Sequence, residues 1–232
     1  MRRRVTGLGA MPALLAAIVL SAPTAWAANH DRGALRTAQD RVNDATQLVH
    51  RMKQNPPLAE LLERARGVFI IPHYGHGGFI VGGQGGGGVV LIKRDGMWSD
   101  PAFFNIGGGS IGLQAGGAGG SVAMLLMTRR AVQRFEDSRG TWSLNANAGL
   151  TVVTYSGRAQ ANTAAGDIIL WSDTNGLYGG LTAGVTHIGP DTRLDDAYYR
   201  HSTGVHQILL GDVSNDHADA LRDALQMRVA TR

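Results

Sequence analysis

The sequence predicts an α+β fold: a curved, glycine-rich, mainly antiparallel β-sheet, or half-closed barrel, with N- and C-terminal helices. Three observations carry that reading. Of the 33 glycines, 28 lie between Gly67 and Gly189, where the apolar runs have strand length. Residues 30–66, by contrast, hold almost no glycine and repeat their apolar side chains at helical spacing. Glycine inside a strand weakens it, so this density points to sharp curvature or close backbone approach, the demands of a small barrel.

Residues 34–66 form a helical lead-in. From Ala34 to Lys53, the side chains Leu35, Ala38, Val42, Ala45, Val49 and Met52 make a narrow stripe on one helix face. The stripe carries no aromatic residue, so a helix docked on the sheet is expected rather than one inserted in a bilayer. Asn55-Pro56-Pro57 stops this helix, because a proline ring cannot continue it, and Pro57 opens a second one over Leu58–Arg66.

Residues 67–189 form the β core. Strands are expected near Val68–Ile71, Gly78–Gly83, Val89–Lys93, Asn105–Gln114, Val122–Thr128, Ser143–Val153, Asp167–Ser172 and Leu177–Thr186. The run Val122 to Met127 is apolar throughout, as for a strand covered on both faces. Leu144, Ala146, Ala148 and Leu150 instead alternate with polar residues and glycine, as for a strand with one wet face. A short helix fits Arg129–Glu136. The closing elements, residues 191–232, read as a helix around Leu194–Arg200, a strand at Val205–Leu210 and a terminal helix over Asn215–Val229. No fixed repeat and no Pro- or Ser-rich linker divides residues 28–232, which therefore read as one domain.

Residues 1–27 have the form of a secretion signal: Arg2 to Arg4, an apolar run Leu14–Leu20, and the small-x-small site Ala25-Trp26-Ala27. Cleavage near Ala27 leaves 19 basic and 18 acidic side chains, a formal charge of +1. That is no surplus with which to neutralise nucleic-acid phosphates, so nucleic acid is excluded as a partner. The absence of Cys excludes disulfide scaffolds, thiolate metal sites, thiol nucleophiles and a lipidated-cysteine anchor. A periplasmic or otherwise exported protein is expected, with no transmembrane helix in the mature chain.

Most short motifs dissolve on inspection. Gly83–Gly88 and Gly107–Gly112 both satisfy GxGxxG, but strand-forming residues follow where a phosphate-binding helix should begin. Gly108-Gly109-Ser110-Ile111-Gly112 fits GxSxG, yet no helix follows Ser110 to make a nucleophile elbow. His73 and His76 lack a third ligand nearby and read as solvated loop histidines. Asp95-Gly96 is a hairpin turn. No catalytic residue, metal site or cofactor is assigned. The pairs Lys93-Arg94 and Arg129-Arg130 each end an apolar strand, where guanidinium groups suit phosphate geometry.

Longer segments are similar to the SYLF domain family. They are Gly77–Gly83 with Gly88–Leu91, Trp98–Phe103, Gly107–Gln114, Met127–Arg130, and Gly176–Leu181 followed by Tyr198-Tyr199. Eukaryotic members bind phosphoinositides and actin, and secreted bacterial members look like phospholipid-binding proteins. The resemblance implies a non-enzymatic phospholipid-binding protein of the bacterial cell envelope, peripheral to the membrane. The alternative is a structural or interaction protein with an envelope protein partner, for which an actin-binding label would be inherited from eukaryotic relatives. On this reading Lys93, Arg94, Arg129 and Arg130 are the headgroup candidates, and Trp98, Phe103 and Phe104 the apolar wall.

Overall fold

The computed structural model describes residues 23–78, 81–111, 118–144, 150–155, 166–173 and 185–226. Two helices lead in, α1 (Pro23–Lys53) and α2 (Pro56–Arg64). Ala38, Val42, Ala45, Val49 and Met52 are buried, as the stripe requires; Leu48 joins them and Leu35 stays half-buried. The docked helix is therefore observed. α2 starts earlier than expected because Asn55 caps it, its Oδ1 accepting the Leu58 amide at 3.3 Å.

Nine strands form one curled sheet, a half-barrel: β1 (Gly67–Gly78), β2 (Val81–Arg94), β3 (Met97–Trp98), β4 (Ala102–Ile111), β5 (Ala118–Leu126), β6 (Trp142–Ser143), β7 (Val152–Thr154), β8 (Ile168–Ser172) and β9 (Val185–Pro190). Helix α3 (Arg129–Glu136) lies between β5 and β6, on the residues expected. The order is β6-β9-β4-β2-β1-β5-β8-β7, with β3 added to β2. Every pairing is antiparallel except that of β7 with β8. The expected strand Gly78–Gly83 is instead the end of β1 and the start of β2, with residues 79–80 outside the described set. Parts of Ser143–Val153 and Leu177–Thr186, residues 1–22 of the expected signal and the terminal residues 227–232 also lie outside it.

Because side chains alternate along a strand, the central sheet is apolar on both faces. Phe69 of β1 and Phe104 of β4 point to the face covered by α3, where both meet Phe135 edge-on at 5.6 and 5.3 Å. Phe103 points the other way, to Tyr198 at 5.2 Å. That second face carries α1 and α4 (Thr192–Tyr199). Curvature has a local cause on β1, where the register slips against both neighbours around Pro72. Proline lacks the amide that a continuous ladder needs, and a bulge accommodates it. His73 sits at this bulge within β1, not in a loop, and its Nε2 is 3.0 Å from Asp44 Oδ2 on α1.

The chain closes with α4, α5 (Val205–Leu210), a 3₁₀ turn over 216–218, and α6 (Asp219–Gln226). Residues 205–210 are a helix and not the expected strand. Gly204 caps its start, donating its amide to Gln207 Oε1 at 3.0 Å, and Gly211 leaves it at φ 88°. Val205, Ile208 and Leu209 are buried at i, i+3 and i+4.

Candidate functional site

The two basic pairs that the sequence singles out lie 36 positions apart, and the sheet register brings them together. β2 ends at Lys93-Arg94, beside the start of β1 and the end of β5, from which Thr128 leads into α3. Two backbone bonds lock this corner: the Arg66 amide donates to Leu126 O at 2.8 Å, and the Lys93 amide to Arg66 O at 2.7 Å. Arg66, Lys93, Arg94 and Arg129 then line a cleft of about 240 Å³ with Ile92, Asp95, Val132 and Glu136. Arg66 is the member that sequence reasoning missed. It precedes β1, and only the long-range pairing of β1 with β2 places it beside Lys93.

Each cation is held differently. Lys93 Nζ donates to Glu63 O at 2.8 Å and stands 4.9 Å above the Trp98 ring centroid, a cation–π arrangement. Arg94 pairs with Glu136 of α3, bracing the rim. Arg66 and Arg129 are exposed. Lys93, Arg94 and Arg129 thus meet in one cleft, while Arg130 is set apart. Successive helical residues diverge by about 100°, so Arg130 leaves the opposite flank of α3. There it lines a second cleft, of about 420 Å³, with Arg134, Arg139 and Trp142.

Asp167 fixes the base of α3. Its carboxylate accepts from Thr128 Oγ1 at 2.6 Å, Arg130 Nη2 at 2.6 Å and the Thr151 amide at 2.9 Å. These bonds, led by that of Arg130, hold the carboxyl down at about 2. Thr128 Oγ1 in turn caps α3 through the Ala131 amide at 3.3 Å. Phe135 anchors the helix from below, meeting Trp142 edge-on at 5.3 Å as well as Phe69 and Phe104.

Of the three apolar candidates, Phe103 and Phe104 have no exposed surface and point to opposite faces, and Trp98 is 6% exposed beneath Lys93. The Trp98–Phe103 segment has a visible structural task. Ser99 Oγ accepts the Ile92 amide at 3.1 Å, Asp100 Oδ2 accepts the Asn215 amide at 2.8 Å, and Tyr199 Oη donates to Pro101 O at 2.8 Å. Asp100 also pairs with Arg222 at 3.0 Å, so this segment buckles the closing helices to β2. Gly83–Gly88 lies within β2, and Gly107 to Ile111 within β4 paired to it, with Ser110 opposite Gly82. Among the described residues no cluster of three or more His, Asp or Glu could hold a metal ion, and no helix is long and apolar enough to cross a membrane.

Comparison with known proteins identifies the family. The family Ysc84, described as "Las17-binding protein actin regulator", matches residues 107–228, from within β4 through the closing helices. The chain is 28% identical over 171 residues to LAS seventeen-binding protein 3 of Saccharomyces cerevisiae, covering 68% of this chain and 35% of that protein. It is 27% identical over 175 residues to Protein YSC84 of the same species, covering 72% and 37%. To the SH3 domain-containing YSC84-like protein 1 of Homo sapiens it is 25% identical over 158 residues, covering 66% and 46%. The chain thus spans between about a third and a half of the length of these curated relatives. No solved structure matches. With a match over more than half of its residues, the chain belongs to the Ysc84 family, whose domain is also called SYLF.

Proposed function

We propose that this chain is a non-enzymatic, peripheral phospholipid-binding protein of the cell envelope, exported with residues 1–27 removed and binding as the single domain 28–232. The observation that supports it is the convergence of Arg66, Lys93, Arg94 and Arg129 on one cleft, although residues 28–232 carry a formal charge of only +1. Guanidinium forks and an ammonium at a cleft rim match a phosphate headgroup. Arg130 contributes from the other flank of α3. Ile92 and Val132 supply the apolar part of the cleft lining, while Trp98 supports Lys93 from beneath and Phe104 and Phe103 are packed in the core on opposite faces of the sheet. Cleavage near Ala27 removes the first residues of α1 and leaves the buried stripe from Ala34 onward intact.

Co-sedimentation with vesicles tests the reading. Anionic vesicles should carry the mature protein down and zwitterionic ones should not, and the Lys93→Gln/Arg129→Gln variant should bind the anionic vesicles several-fold more weakly. Equal recovery from both vesicle types, or from neither, would sink it. A second reading, an envelope protein as partner, is favoured by the relatives' printed names, which describe binding to another protein. It requires saturable capture of one protein that anionic vesicles do not compete away.

A further inference from the structure

Large apolar side chains standing in water are rare here: among the described residues they are Met97, 71% exposed, and Leu210, 38% exposed. A single exposed methionine means little on its own. The position of this one is specific. Met97 opens β3 and is the direct cross-strand partner of Arg94, one pair beyond Lys93 and Trp98. Between Arg94 and Met97 the chain reverses through Asp95 and Gly96, both at positive φ, 50° and 83°. That backbone matches the right-handed twist of a hairpin, so the tip is stiff and projects. Leu210 lies at the end of α5, which packs against α3 and β4. Met97 therefore sits on the hairpin that carries Lys93 and Arg94, whereas Leu210 belongs to a helix that lines no part of the cleft.

We propose that the β2–β3 turn is the membrane-inserting element of this protein, with Met97 entering the acyl region of an anionic bilayer while Arg94 and Lys93 remain at headgroup level. The inference rests on the phospholipid reading and adds to it a depth, an orientation and a residue. The physical pattern is that of an interfacial anchor: Met97, level with its cross-strand partner Arg94, gains by leaving water, the long cations hold the anionic surface, and the Asp95 carboxylate at the turn stays among the headgroups. Helix α1 takes no part, because its apolar stripe is already buried in the fold. The strand ends point to the bilayer and the outer face of α1 to water.

The chain contains no cysteine, so a single introduced thiol reports its own surroundings. Met97→Cys carrying a polarity-sensitive fluorophore should shift to the blue on anionic vesicles and be quenched by acyl-chain spin labels. Asp40→Cys, exposed on α1, should do neither. Met97→Asp should weaken partition into anionic vesicles about tenfold, the factor a partly buried methionine is worth, with an unchanged melting curve. If the wild type binds but position 97 stays in water, or Met97→Asp binds equally well, the turn is not the anchor and only this inference falls. Blue shift and quenching at position 40 instead of 97 would assign insertion to α1 and overturn it as well. A wild type that binds no vesicle removes both this inference and the reading beneath it.

Discussion

Gly87 and Gly88 of β2 show how single atoms decide where this sheet tolerates change. A Cβ on Gly88 would stand 2.1 Å from the Ile70 carbonyl oxygen and 2.9 Å from the Phe69 ring, and a ladder carbonyl cannot step aside. Gly88→Ala should cost about 2–4 kcal/mol in urea unfolding. A Cβ on Gly87 meets instead the Arg41 guanidinium at 2.1–2.5 Å, the far end of a flexible side chain. Gly87→Ala should cost only about 1 kcal/mol, through loss of the 3.5 Å Arg41–Asp191 pair. Equal costs would mean that Arg41 is held as rigidly as backbone. Asp195 supplies a second test. It is fully buried, with Oδ1 accepting the Phe103 amide at 2.9 Å and Oδ2 without a partner. Desolvation, reinforced by Asp191 and Asp196, pushes its carboxyl up to about 8. Between about pH 4 and pH 8 the folded state therefore holds a proton that the unfolded chain releases, and this contribution is lost as pH rises through that window. Asp167 works with the opposite sign, its contribution lost as pH falls from about 4 towards 2. Asp195→Asn should raise Tm at pH 8 and change it little at pH 4. A uniform change at both would show that its ionisation does not matter.

Helix α1 and helix α3 carry different burdens. Val42 is 1% exposed in the face that α1 turns to the fold, so Val42→Asp places a carboxylate among apolar side chains. The expected loss is about 3–5 kcal/mol, read as a collapse of Tm. Normal melting with loss of vesicle binding would show that α1 serves the membrane instead. That docking was legible because a twenty-residue helical period leaves little ambiguity, as did the both-faces-apolar β5. The helix at Val205–Leu210 was misread for the converse reason. Six residues with an apolar majority fit a strand and a helix equally, and the flanking Gly204 and Gly211 decide between them. The cleft was legible in part. The pairs Lys93-Arg94 and Arg129-Arg130 stand out as cations ending apolar strands. Arg66 joins them only through register, a property of three strands at once, and Arg130 departs because helical rotation separates neighbours in sequence. The Asp95-Gly96 turn was readable, but the exposure of Met97 beyond it was not.

At the scale of the molecule, the candidate site is assembled at the ends of the most enclosed strands. β1, β2 and β5 are neighbours inside an eight-strand path whose outer members, β6 and β7, are only two and three residues long. Edges of that length fray first, whereas strands covered on both faces open only with the whole domain. The corner that holds the cleft belongs to the second group, since the Arg66 and Lys93 amides cross-link β5, the approach to β1 and β2. Its cations therefore rise from a scaffold as stable as the core, and the proposed binding of an anion would require only side-chain rotamers to adjust. Native-state hydrogen exchange should show the Arg66 and Lys93 amides protected to the same free energy as Phe69 and Val90. The amides of β6 and β7 should exchange at a lower cost. Binding of anionic vesicles should then leave the exchange of Arg66 and Lys93 unchanged, because the backbone is already in place. Rapid exchange at both positions in the free protein, slowed on binding, would mean that the corner forms only around its ligand. In that case the ordering cost would be drawn from the binding free energy, and affinity would fall below what four converging cations provide.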